Sequence, residues 1–393
     1  MKDPNWHEAY LRLHRLVALK RLEMPYVYHI GTDDLYEIDD SALSFLIRCD
    51  GSSKGSELTS DEQFVEFCLS EELLETLPQP DPISIPVAAA PVPSLRYLEL
   101  QVTHRCNLRC RHCYLGPARS VDLPLESALR ITEQFSFHGG LRLLISGGEP
   151  MLYPYLKEFI AATGDLPIRR ILITNGTLIT ENNAAWLEVD EIQFSLDGWK
   201  RGHEMIRGPG SFELTLRGID AVHSAGIPIS IATMIHRDNL DEFEQLRRFT
   251  EEIGATEWGV DVLAMSGSLK QNQDLFIPYE KAVPLMAYAY GGGVHGSSDG
   301  FACGRHLMTI TPTGKAIKCG FYEDASLGNA SQDLIACWLN LEHIPVADLE
   351  CNGCKVIEEC HGGCRFRAAH PLAPDPAMCA LYGIESKALP RVP

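Results

Sequence analysis

Thr103-His104-Arg105-Cys106-Asn107-Leu108-Arg109-Cys110-Arg111-His112-Cys113-Tyr114 is the stretch on which the reading of the chain turns. It carries a Cys-x3-Cys-x2-Cys spacing on one short loop. Three thiolates this close hold three irons of a cubic iron–sulfur cluster and leave the fourth iron without a protein ligand nearby. Zinc is the competing metal. A structural zinc site closes with a fourth Cys or His, and His104 or His112 is at hand to supply it.

The loop follows an apolar run, 96–102, with the pattern of a buried strand. Five more such runs come after it, at 143–146, 171–174, 191–196, 227–232 and 257–263. Stretches of helical periodicity lie between them, among them 125–135 and 212–224. Apolar strands alternating with helices indicate a parallel sheet. A closed barrel takes eight strands, so six predict an α/β fold with an open, partial (β/α)6 TIM-like barrel. Polar residues punctuate the strand ends: Thr103-His104, Gly147-Gly148-Glu149-Pro150, Asn175-Gly176 and Asp197-Gly198. Active sites of parallel barrels lie at that end.

With 393 residues the chain is too long for one core, and its texture changes twice more. Residues 1–80 read as a small domain. Short strands at 26–30 and 35–38 make a hairpin, a helix covers 42–47, and further helical turns cover 64–69 and Leu73-Leu74. Residues 81–94 are rich in Pro and Ala and read as a semi-rigid, extended linker. The barrel occupies 95–290. From Gly291-Gly292-Gly293 onward, 291–393 is loop-rich and Cys-rich, a texture held by metal more than by an apolar core.

Lys and Arg number 34 against 53 Asp and Glu, a net charge of −19, which argues against a general nucleic-acid binder. The opening Met1-Lys2-Asp3-Pro4-Asn5-Trp6 has no signal-peptide pattern, and no apolar run is long enough to span a membrane. A cytoplasmic protein is expected. It would not keep 13 cysteines as disulfides, and ten of them stand in local patterns, so metal ligation is the default reading.

The loop and its surroundings resemble the radical S-adenosylmethionine superfamily, over about 95–263. The resemblance implies that Cys106, Cys110 and Cys113 hold a [4Fe-4S] cluster whose open iron chelates S-adenosylmethionine. Electron transfer then yields a 5′-deoxyadenosyl radical. Most members carry an aromatic residue just before the third cysteine; here His112 stands there and Tyr114 follows. Gly147, Gly148, Glu149 and Pro150 resemble the glycine-rich motif, in which paired glycines admit a ligand to the backbone. Glu149 can accept from a ligand ammonium. Alone, the same four residues would read as a tight turn. Ser195 and Asp197 can meet ribose hydroxyls, and Arg207 can pair with the methionyl carboxylate. Thr174 and Asn175 end the third strand on the same face. Plain loop hydrogen bonding is the competing role for these residues. Ala232 and Met234 line the adenine pocket or the core.

Cys303, Gly314 and Cys319, then Cys351, Cys354, Cys360 and Cys364, then Cys379, resemble the SPASM extension of that superfamily. The resemblance implies two auxiliary [4Fe-4S] clusters, hence three in all. One would use Cys303, Cys319 and Cys364, and the other Cys351, Cys354, Cys360 and Cys379. Seven cysteines for eight positions leave the first one ligand short. Cys337, Cys49 and Cys68 read as buried structural thiols.

The hairpin and helices of 20–77 resemble a small winged-helix-like domain that recognises precursor peptides of ribosomally made natural products. Tyr36, Asp40 to Ile47 and Asp50-Gly51 carry the likeness. A structural cap on the barrel is the plainer role. The combination implies a maturase that modifies a precursor peptide by crosslink, thioether or oxidation, with a flavodoxin or ferredoxin as electron donor. No catalytic side chain is assigned. The alternatives are a sulfatase-type protein maturase and a non-catalytic iron–sulfur electron-transfer or binding protein; the intact cysteine set and Glu149 argue against the latter.

Overall fold

The computed structural model describes residues 6–59, 61–293 and 300–385; the opening stretch Met1 to Asn5 lies outside them. The chain forms two compact units. The first runs to Arg96 and also takes in Glu133–Arg142 and Asp165–Arg169; the second holds the rest.

The first unit has two antiparallel three-stranded sheets. β1 (Tyr10–Leu13) lies between β5 (Asp50–Lys54) and β6 (Leu74–Leu77); β3 (Pro25–His29) lies between β2 (Val17–Arg21) and β4 (Asp34–Glu37). Three helices join them: α1 (Asp40–Arg48), α2 (Gly55–Leu58) and α3 (Glu62–Ser70). α1 starts where Asp39 accepts the Ala42 N–H at 2.7 Å, and α3 where Asp61 accepts the Phe64 N–H at 3.1 Å. Their inner faces meet the sheets around Leu11, Leu19, Val27, Leu46 and Val65. Cys49 and Cys68 are fully buried there.

Leu73-Leu74 differs from the helical expectation. Glu72, at φ 54°, turns the chain, and Leu74–Leu77 pairs with β1 because β1 offers an unfilled edge. The Pro-rich segment is extended, as its composition predicts, and it is tied down. Asp81 N–H bonds to Gly51 O (3.1 Å), Ile83 N–H to Asp50 O (2.8 Å) and Ala90 N–H to Arg21 O (2.8 Å). Ile85 and Val87 pack on the core. It is a strap more than a free spacer.

In the second unit, β7 (Tyr97–Thr103), β8 (Arg142–Gly147), β9 (Arg169–Thr174), β10 (Glu191–Ser195), β11 (Ile229–Ile235) and β12 (Glu257–Val262) lie side by side in chain order. Between them run α4 (Leu125–Phe137), α5 (Leu156–Ala162), α6 (Glu181–Ala184), α7 (Lys200–Arg207), α8 (Ser211–Ser224) and α9 (Phe243–Glu252). The pairs β9–β10, β10–β11 and β11–β12 are parallel. The sheet stays open, as six strands predict. It grows at its other edge: β13 (Leu307–Ile310) joins β7 in parallel, then β14 (Lys315–Ile317) and β15 (Gly328–Asn329) follow antiparallel. Beyond that the chain folds in short helices and turns. Among the described residues no helix is long and apolar enough to cross a membrane.

Lys20 of β2 is 4% exposed, and its Nζ donates to Gly140 O (2.9 Å) and Pro167 O (2.7 Å) within the first unit. Burial, with no carboxylate beside it among the described residues, lowers its pKa from 10.5 to about 7. Between those two values the unfolded chain binds the extra proton, so stability rises with pH across that window; below it the cost of burial is present in full. The slope is at most about 1.4 kcal/mol per pH unit. Denaturant unfolding of Lys20→Met and the parent between pH 7 and 9 should show the parent gaining on the variant. Parallel profiles would contradict this account of Lys20.

Candidate active site

The cysteine loop leaves the end of β7 and is gripped at once by the loop after β8. Gly148 N–H bonds to Thr103 O (2.8 Å) and Glu149 N–H to Arg105 O (2.7 Å). A Cβ on Gly147 would lie 2.2 Å from Thr103 O, and one on Gly148 2.3 Å from Arg105 O. Gly147 also sits at φ 134°. Only glycine allows so close a backbone approach. The two glycines therefore seat the cysteine loop, a role that the expectation of ligand approach does not contain.

Glu149 is fully buried and already well supplied with donors. Its Oε1 accepts Met151 N–H (3.0 Å) and Thr174 Oγ1–H (2.8 Å); its Oε2 accepts Asn175 N–H (2.9 Å). Burial raises its pKa, and these bonds oppose the rise. Where the sequence suggests an acceptor for a ligand ammonium, the structure shows a clasp between Gly147–Pro150 and the end of β9. Asn175 is likewise occupied: its Nδ2 donates to Asn107 Oδ1 (3.1 Å), and its Oδ1 accepts from Thr177. Asn107 Nδ2 donates to Thr177 Oγ1 (2.8 Å). Asn107 and Thr177, which sequence reasoning missed, thus anchor the loop between Cys106 and Cys110; the one available signal was a polar residue between two cysteines.

Cys106, Cys110 and Cys113 are half-buried. Arg207 at the end of α7 lies with Nη1 3.9 Å from Cys110 Sγ and Nε 2.5 Å from Asp197 Oδ2. Asp197 Oδ1 accepts Met234 N–H (2.8 Å), and His112 Nε2 stands 3.7 Å from Oδ2. Burial alone would raise the Asp197 carboxyl; Arg207 and His112 overcome it and hold it well below the usual range. His112 is pushed down to about 4, chiefly by burial. So Asp197 and Arg207, expected to meet ribose and carboxylate separately, pair with each other. Ser195 ends β10 half-buried, its hydroxyl without a protein partner among the described residues.

Tyr114 points the other way. Its Oη donates to Glu99 Oε1 (2.9 Å), which also accepts Ser146 Oγ–H (2.8 Å), while Glu99 Oε2 accepts Thr309 Oγ1–H (2.7 Å). The Tyr114 ring meets Phe321 edge-on at 5.6 Å, and Phe321 stacks on Phe366 at 4.9 Å. These aromatics neighbour the second cysteine group. Cys303 and Cys364 hydrogen-bond each other, which holds the Cys303 thiol below its ordinary value, and Cys319 lies close enough to oppose that shift. Cys351, Cys354, Cys360 and Cys379 border a separate small cavity beside Gly362 and Met378. Cys337 stands apart, buried on the helix Leu334–Leu339 against Gly328.

Gly148→Ala should unfold about 1–3 kcal/mol more easily than the parent, because its Cβ meets backbone that cannot yield. Gly353→Ala, between Cys351 and Cys354 with open space around it, should stay within about 0.5 kcal/mol. Equal effects in denaturant titrations would contradict the seating role.

Residues 100–250 match the radical SAM superfamily. The AdoMet-dependent heme synthase of Nitratidesulfovibrio vulgaris is 27% identical over 328 residues, 70% of this chain and 89% of that protein. The PqqA peptide cyclase of Methylorubrum extorquens is 26% identical over 361 residues, 79% of this chain and 90% of that protein. The crystal structure of Streptococcus suis SuiB bound to precursor peptide SuiA has a TM-score of 0.67 at 15% identity, covering 94% of this chain and 99% of SuiB; that likeness speaks for the fold. The superfamily match spans the cysteine loop, Gly147–Pro150, Asp197 and Arg207, and with these relatives it makes the chain similar to radical SAM enzymes, a class that uses S-adenosylmethionine and a [4Fe-4S] cluster.

Proposed function

We propose that this chain is a maturase that modifies a ribosomally made precursor peptide. The observation that carries the reading is coverage: the likeness to SuiB runs through the N-terminal unit as well as the sheet and the Cys-rich end. In this reading residues 1–80 form a winged-helix-like recognition domain, 81–94 the linking strap, 95–290 the radical domain and 291–393 a SPASM domain. The protein works in the cytoplasm with a flavodoxin or ferredoxin as donor.

Cys106, Cys110 and Cys113 hold the first [4Fe-4S] cluster. The fit rests on the donor set: three half-buried thiols on one seated loop, where burial raises the Cys110 thiol and the Arg207 cation beside it opposes the rise. The bound cofactors supply reductive cleavage of the sulfonium and hence the 5′-deoxyadenosyl radical. The chain supplies position. Ser195 offers its uncommitted hydroxyl to a ribose. Arg207, fixed through Nε by Asp197 and with Nη1 against Cys110 Sγ, keeps Nη2 for the methionyl carboxylate. Gly147, Gly148, Glu149, Pro150, Thr174 and Asn175 form the rigid wall behind them. Cys303, Cys319 and Cys364 hold one auxiliary cluster, and Cys351, Cys354, Cys360 and Cys379 the other. Their separation into two groups supports that division.

The second reading, a haem-pathway enzyme, is favoured by the heme synthase similarity over 70% of the chain. Two measurements decide. Anaerobically reconstituted protein should carry about 12 iron atoms, falling by about four in Cys106→Ala/Cys110→Ala/Cys113→Ala. Co-expression with a candidate precursor peptide should shift that peptide's mass, and an iron-porphyrin substrate should be left unchanged. Turnover of the porphyrin with an unaltered peptide overturns the maturase reading.

A further inference from the structure

The first unit holds a cavity of about 780 Å³, and every residue that lines it belongs to that unit. The volume is that of a small-molecule cleft, ~300–1,000 Å³. Much of the wall is apolar: Val17 and Leu19 of β2, Ile83 and Ile85 of the strap, and Phe137 of α4. Phe137 is 61% exposed and Ile83 39%, high for large apolar side chains in a cleft. An apolar ligand lying there would take both out of water.

At one place the wall is polar and buried. Lys20 lines the same cavity at 4% exposure. Its Nζ donates to Gly140 O (2.9 Å) and to Pro167 O (2.7 Å), and Pro167 is itself a wall residue. An ammonium carries three N–H bonds, so one is left over. The other ionisable side chains of the wall are His14, Arg15, Glu133, His138 and Asp165. Burial is what acts on the Lys20 amine; neither Glu133 nor Asp165 compensates it.

We infer that this cleft binds a small monocarboxylate with an apolar body, its carboxylate on Lys20 and its hydrocarbon against Leu19, Ile83 and Phe137. A wholly polar ligand leaves the apolar walls unused, and a neutral apolar one leaves the spare N–H unmet. A carboxylate supplies the charge that the amine lacks and lets it hold its proton inside the fold. The inference stands apart from the maturase reading. The free C-terminus of an apolar peptide has the same chemistry, and the experiment separates the two.

The probe is decanoate, titrated calorimetrically into the full-length protein below the concentration at which it forms micelles. One molecule should bind per chain. Decanol keeps the hydrocarbon and lacks the charge, so it should bind about tenfold more weakly at pH 7, and Lys20→Met should cost decanoate as much while costing decanol little. Above about pH 7 the free amine gives up its proton, and binding must put it back. Decanoate affinity should therefore fall by up to about tenfold per pH unit between pH 7 and 9, and decanol should stay level. Phe137→Ser should weaken both ligands together. The inference fails if decanoate does not bind, if it binds in many copies without saturating, if decanol matches it, or if its affinity is flat with pH. It fails too if an acetylated apolar tetrapeptide with a free C-terminus binds more tightly than decanoate and with the same dependence on Lys20, which assigns the cleft to a peptide end. A dimer that decanoate dissociates assigns the walls to a second copy and overturns the inference as well. Should Lys20→Met not fold, the decanol comparison and the pH profile of the parent still decide.

Discussion

Two backbone hydrogen bonds, Gly148 N–H to Thr103 O and Glu149 N–H to Arg105 O, set the terms for everything around the cysteine loop. They draw the loop after β8 onto the loop after β7 at a distance no side chain would allow. Glu149 then passes the constraint on, because its buried carboxylate ties the same loop to the end of β9. Three neighbouring strand ends are thereby locked before any cofactor is considered. Radical chemistry depends on placing a reactive atom against one target while excluding others, so a rigid seat is the contribution that the protein itself must make.

Charge is arranged on the same principle. Asp197 is buried and Arg207 nearly so, and each would be costly alone; paired, they are tolerable, and the pair holds the guanidinium against Cys110. His112 and Met234 N–H close the remaining sides of the carboxylate. Here the polar residues at strand ends serve mainly to orient one another, and Ser195 is the member of the set whose hydroxyl stays uncommitted.

The six strands of the main sheet were legible because they are dense in Ile, Leu and Val and lie between polar turns; the run 191–196 matches β10 (Glu191–Ser195) almost residue for residue. The cysteine spacings were equally plain. What could not be read is whatever depends on distant partners. β2, Val-Ala-Leu-Lys-Arg, carries two charges in five residues and is a strand only because β3 lies beside it. β13 joins the sheet through β7, some two hundred residues earlier in the chain. Glu99 looks like an ordinary strand residue until Tyr114, Ser146 and Thr309 arrive from three separate segments. Asp197 and Arg207 stood out as polar residues near a site, and only the fold reveals that they hold each other.

The composition of the first unit bears on how the protein is made. Its interior is not completed by its own sequence: Lys20 depends on the carbonyls of Gly140 and Pro167, Tyr28 and Leu22 pack with Leu141, and Asp33 pairs with Arg142. The last of those partners, Pro167, is not synthesised until the chain has reached that residue, and it leaves the ribosome later still. Until then the N-terminal sheets carry an unfilled face and a buried amine without its acceptors, a state open to chaperones and to wrong pairing. An insertion between β7 and β9 would therefore delay the maturation of a unit whose own strands precede it in the chain.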